Sequence, residues 1–161
     1  MSTELTDIFK QHLWANLTLL EACAKLSDEK IDATMSGTYG NVRNTLLHLF
    51  SAEARYVFLL TEQRIKPALS ERDPFPGFEA LQQQARKTGE ALIALVEGGE
   101  GERMIHLFYE EQDHEVPASI VLIQALNHAT DHRSQIATLL SQQGIALPEL
   151  DGWAYYRAKN S

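Results

Sequence analysis

Six histidines are the residues of this chain best suited to chemistry, and two of them stand at helical spacing inside an apolar stripe. Before Gly144 that stripe reads Val121, Ala125, His128, His132, Ile136 and Leu139, with steps of four, three, four, four and three. A helix turns ~100° per residue, so positions four apart lie ~40° apart around the axis and ~6 Å apart along it. Both imidazoles can therefore reach one point. Zinc and similar ions take nitrogen ligands at ~2.0–2.1 Å, which this spacing satisfies when the rings tilt together. Buried imidazoles without partners are costly to desolvate, so two side by side need a polar network or a cation.

By itself a His-x-x-x-His pair also describes two satisfied core or surface histidines. A third histidine changes the reading. His48 stands in Leu46-Leu47-His48-Leu49-Phe50, on a helical face shared with Thr45, Ala52, Arg55 and Leu59. Where its helix meets the one bearing His128 and His132, three histidines in a dry pocket make a catalytic-type site with a fourth position left for water or substrate. Other metal patterns fail. His128 is followed by Ala129, not the Glu that a metalloprotease helix requires. A carboxylate-bridged di-iron centre needs two Glu-x-x-His pairs, and only Glu111 to His114 is present, in a turn region. His12 and His106 read as satisfied or solvated side chains. No phosphate loop, dinucleotide fingerprint or Gly-x-Ser-x-Gly elbow occurs.

Four long helical segments are expected to position these residues. The first, about Thr3 to Leu26, places Leu5, Phe9, Leu13, Leu17 and Leu20 on one face. Residues 27–40 read as a connector. Asn41 then caps a second helix reaching about Gln63, with Leu46, Leu49, Phe50, Val57 and Leu60 as its core face. Residues 64–77 hold Pro67, Pro74 and Pro76 and read as a loop. A third helix runs about Phe78 to Glu97 with Leu81, Ala85, Leu92 and Leu95 inward, and Gly98-Gly99 ends it. Met104 to Tyr109 reads as a short extended piece able to pair with the residues before Pro117. The fourth helix, about 26 residues, lies between Pro117 and Gly144. The expected fold is all-α: a four-helix bundle with long connectors, forming one domain over residues 1–161.

A chain of 161 residues can bury ~70% of the surface it exposes when unfolded, enough for a full core. Its net charge of -8, from 22 acids against 14 bases, excludes nucleic acid as an expected partner, since phosphate binding needs a basic stripe. No apolar run approaches the ~20 residues of a membrane span, and the start lacks a cationic, apolar leader, so a cytoplasmic protein with no membrane partner is expected. Cys23 is the single cysteine; it can make no internal disulfide and reads as a small buried residue.

Three stretches carry a family resemblance: Trp14-Ala15-Asn16, Val42-Arg43-Asn44-Thr45-Leu46-Leu47-His48-Leu49-Phe50-Ser51-Ala52-Glu53, and Asn127-His128-Ala129-Thr130-Asp131-His132-Arg133-Ser134-Gln135. With them the chain resembles the DinB (YfiT/DinB-like) family, from about residue 5 to the Leu150-Asp151-Gly152-Trp153 segment and least between Arg64 and Glu115. The resemblance implies a metal-binding four-helix bundle, commonly a homodimer, whose ligands carry over to His48, His128 and His132. It also implies a divalent ion such as zinc or nickel. Relatives include S-transferases and isomerases that use low-molecular-weight thiols, assigned hydrolases, and members without known activity, and fold alone does not choose among them.

Asp131 and Gln135 lie one turn from His128 and His132, and each either orients a ligand ring or is a solvated or helix-pairing group. Glu53 and Arg55 read as surface charges rather than pocket groups. Trp153, Tyr155 and Tyr156 are expected to pack back on the bundle. Three functions remain open. In the first, a metalloenzyme acts on a small-molecule substrate, activating a thiol cosubstrate or a water. In the second, a non-catalytic or stress-associated protein uses its ion to fasten two helices. The third is a bundle without metal, with His48 away from the pair.

Overall fold

The computed structural model describes residues 4–161, so the expected helix start at Thr3 lies outside the described residues. Among the described residues the chain is mostly helical, with six α-helices and one two-stranded sheet. Helix α1 spans Glu4–Cys23. Its inward face differs from the expected one: Thr6, Phe9, His12, Asn16, Leu19 and Leu20 are buried, while Leu5 is exposed. His12 and Asn16 turn inward because they meet buried partners on two other helices, Glu53 and Arg133. The connector contains a short helix α2, Asp28–Asp32, pinned by buried Ile31.

Helix α3 spans Val42–Thr61, starting where Asn41 accepts the backbone N–H of Asn44 through its side chain at 2.8 Å. All five expected core residues on it are buried. Residues 63–77 contain no helix or strand. Helix α4, Phe78–Glu97, buries the expected Leu81, Ala85, Leu92 and Leu95, and a 3-10 turn, Glu100–Glu102, follows it.

The fold is not purely all-α, because the short extended piece expected at Met104 to Tyr109 does form and pair. Strands β1 (Met104–Tyr109) and β2 (Gln112–Pro117) form an antiparallel hairpin, with Met104 opposite Pro117 and Tyr109 opposite Gln112. Its two turn residues, Glu110 and Glu111, both have positive φ, at 50° and 62°, as a type I′ turn requires. Helix α5 then runs Ala118–Gln142. It ends in a Schellman motif, with Ile145 N–H donating to Leu140 C=O at 3.0 Å, Gly144 N–H to Ser141 C=O at 2.9 Å, and Gly144 at φ 74°. A last helix α6, Gly152–Lys159, is capped by Asp151, whose carboxylate accepts the Ala154 N–H.

The four long helices pack side by side. Helix α1 runs antiparallel to α4, with Lys10 beside Glu97 and Leu13 against Gly89. Helix α3 runs antiparallel to α5, with His48 opposite His128 and Tyr56 opposite Gln124. Helices α3 and α4 run the same way, since Glu53 meets Thr88 and Leu60 meets Arg103 beyond the end of α4. A parallel pair cannot be joined by a tight turn, so the proline-bearing segment must climb back along α3. That climb carries Glu71 past His48.

Two apolar clusters fill the interior, one around Leu19, Phe50, Ala85 and Ile136, the other around Phe9, Val57, Leu92 and Val121. Between them, buried His12, Asn16, Glu53, Thr88 and Arg133 form a polar layer with members from all four long helices.

Candidate metal centre

The antiparallel crossing of α3 and α5 brings His48, His128 and His132 together, each offering one ring nitrogen within 4.8 Å of the others. The Nε2 atoms of His48 and His128 are 3.0 Å apart, and the three ring centroids are separated by 4.5–4.9 Å. Two nitrogens at ~2.0–2.1 Å from a shared ion stand ~2.8–3.0 Å apart at a right angle and ~3.3–3.4 Å apart at a tetrahedral angle. The His48–His128 spacing fits that range. His132 is buried, whereas His48 and His128 are half-buried, so the cluster sits at the rim of the bundle rather than in the fully dry pocket expected.

Electrostatics keeps two of the rings, His128 and His132, neutral. Burial, then the neighbouring His132 and His48, pushes His128 down to about 4. Burial, then His48, also lowers His132. Neutral imidazole has a lone pair to offer an ion, and a like-charged trio is what these neighbours resist.

Two groups beyond the histidines come from segments whose sequence gave no periodic signal. Tyr39 stacks on the His48 ring at 4.0 Å and 22°, and sets its edge to His132 at 5.5 Å. Its hydroxyl donates to Glu71 Oε2 at 2.6 Å, and the same oxygen lies 3.0 Å from His48 Nδ1, too oblique for a full hydrogen bond. The hydrogen bond from Tyr39 leads the effects that hold Glu71 below the usual carboxylate range. Gln135 does stand beside a ring: its Oε1 is 3.3 Å from His132 Nδ1 and accepts the Tyr39 N–H at 3.0 Å. Asp131 is exposed and acts on His132 through its charge.

Other expectations divide. Glu53 is no surface charge: it is buried and holds His12 Nε2 at 2.7 Å, which satisfies His12. Arg55 is mostly exposed, with Nη2 3.8 Å from Glu71 Oε1. His106 and His114 sit on the hairpin, beside Glu115 and the Tyr109 carbonyl. Tyr155 packs on Trp14 at 5.6 Å, but Trp153 and Tyr156 are 77% and 65% exposed, so the tail aromatics do not all return to the bundle. Among the described residues no helix is long and apolar enough to cross a membrane.

Comparison with known proteins settles the family, because the DinB family model matches residues 1–160. The chain belongs to the DinB family. Among solved structures, this DinB protein is similar to a DinB-like protein from Bacillus cereus ATCC 10987, with a TM-score of 0.67 and 17% identity over 92% of this chain and 99% of that one. It is also similar to a DinB-like protein from Bacillus subtilis, with a TM-score of 0.64, 17% identity and the same coverage. At that identity the likeness establishes the fold. No curated protein matches this DinB chain in sequence.

Proposed function

We propose that this DinB protein binds one divalent metal ion, zinc, nickel or similar, through His48, His128 and His132, and acts on a small-molecule substrate at that site. The observation that carries the reading is the convergence of three histidine ring nitrogens from α3 and α5. Three protein ligands leave a coordination position open, where an ion supplies Lewis acidity to a thiol or a water. The reaction classes that fit are transfer to a low-molecular-weight thiol cosubstrate and hydrolysis. The chain's own contribution is to hold His128 and His132 neutral and to keep one side of the cluster covered by Tyr39. The remaining side faces the rim. A second reading, an ion that merely fastens α3 to α5, is favoured by the position of the histidines across that helix pair. A homodimer in the cytoplasm belongs to the same proposal, supported by exposed Phe108, Trp153 and Tyr156, which a second copy could cover.

Elemental analysis tests the ligand set. His48→Ala, His128→Ala and His132→Ala should each lose most bound metal, while His106→Ala and His114→Ala should not; equal content in all five would sink it. Adding azide or a small thiol to the cobalt-substituted protein should alter its visible spectrum, because a new donor changes the ligand field. An unchanged spectrum at saturating ligand would leave the fastening role.

A further inference from the structure

Tyr39 touches both sides of the histidine cluster at once. Its hydroxyl reaches Glu71, which faces His48, and its backbone N–H reaches Gln135, which faces His132. An N–H can only donate, so the atom of Gln135 that meets Tyr39 must be the carbonyl oxygen, which fixes the amide orientation. That same oxygen lies 3.3 Å from His132 Nδ1. Since it carries no proton, the proton between them belongs to Nδ1.

The argument for His48 is similar. Glu71 Oε2 already accepts the Tyr39 hydroxyl and lies 3.0 Å from Nδ1. A carboxylate oxygen facing an unprotonated Nδ1 would set two lone pairs against each other, whereas an N–H there is attracted even along an oblique line. With both Nδ1 atoms protonated, both Nε2 atoms carry lone pairs. His48 Nε2 is the atom that stands 3.0 Å from His128 Nε2. In solution without metal, His128 Nε2–H must then be the donor across that pair.

We propose that Tyr39, Glu71 and Gln135 form a positioning network that fixes His48 and His132 as Nδ1–H tautomers and so presents their Nε2 lone pairs to one shared point. The consequence for affinity rests on the metal reading above; the tautomers do not. Tyr39 is the member that couples the two arms, and Glu71 and Gln135 act through the rings they hold. Oxygen acceptors behind ligating imidazoles raise ligand basicity and fix ring orientation.

The test pairs long-range nitrogen–proton NMR of the histidine rings, on metal-free protein at alkaline pH, with cobalt titration. Wild type should show His48 and His132 as Nδ1–H. Glu71→Ala should release His48 from that tautomer and weaken cobalt binding roughly 10–100-fold, with partial recovery in Glu71→Gln, whose amide oxygen can still accept. Tyr39→Phe keeps the ring stack and the backbone N–H, so it should loosen His48 while His132 stays fixed. Gln135→Ala should do the reverse. Tyr39 and Glu71 are partly exposed, so the metal-free variants should melt as wild type does. An Nε2–H wild-type His48, or a Glu71→Ala protein with unchanged tautomer and cobalt affinity, overturns the network. Wild-type protein that shows the expected tautomers yet binds no cobalt overturns the metal reading instead.

Discussion

Cys23 illustrates how surroundings set the reactivity of a single residue. Burial pushes its thiol up to about 12, and the nucleophile in alkylation is the thiolate, so in the folded protein almost none is available near neutral pH. It packs with Leu19, Leu20 and Ile31 in the apolar cluster around Phe50, where a small apolar group suffices. Native protein should therefore resist iodoacetamide at neutral pH and label fully once unfolded in urea. Rapid stoichiometric labelling of the native protein would show that the end of α1 opens far more readily than its packing implies. The histidines follow the same rule with the opposite use: burial and mutual proximity hold His128 down at about 4, leaving a lone pair where Cys23 keeps its proton.

At the scale of elements, the contact of α1 with α4 is set by a missing side chain. A Cβ built on Gly89 would stand 2.6 Å from Leu13 Cδ1 and 3.0 Å from its Cβ, and the second atom cannot swing away as a methyl can. Gly89→Ala should cost about 1–3 kcal/mol of overpacking, less ~1 kcal/mol gained in helix propensity. In a Leu13→Ala background that cost should shrink or change sign, which urea unfolding of the four proteins measures; a purely additive pair would deny the contact. The same elements show what the sequence reveals. Helices α3, α4 and α5 were legible because their apolar residues recur with the helical period and their ends carry Asn41, Gly98 and Gly144. The three ligand candidates were legible because two of them lie on such a stripe. The inward face of α1 was not, since Thr6, His12 and Asn16 are polar, and partners on other helices explain the burial of the last two. Tyr39 and Glu71 were hidden for a related reason. They sit in irregular segments: Tyr39 lies just before α3, and Glu71 arrives at His48 because α3 and α4 run parallel, a property of the whole topology.

Across the molecule, the polar layer joins all four long helices through hydrogen bonds and ion pairs. Glu53 Oε2 is 2.7 Å from His12 Nε2 and accepts Asn16 Nδ2 at 3.2 Å, its Oε1 accepts the Thr88 hydroxyl, and Arg133 Nη1 donates to Asn16 Oδ1 at 2.7 Å. Burial alone would raise the Glu53 pKa, but His12, the Thr88 hydroxyl and Arg133 outweigh it and hold the carboxyl below its ordinary 4.5. Because the folded value is the lower one, the stability this group contributes is present above the unfolded value and is lost as pH falls through the folded one. Removing one partner of a buried pair leaves the other charge uncompensated, so Glu53→Gln should cost about 3–5 kcal/mol at neutral pH. Arg133 directly follows His132, so the same change should also loosen α5 where it carries the histidine cluster. The pH dependence makes this specific: protonated Glu53 resembles glutamine, so the gap between wild type and variant should narrow as pH drops below 4.5. Denaturant unfolding of both proteins across that range decides it, and a gap that stays constant would mean Glu53 titrates alike in the folded and unfolded chain.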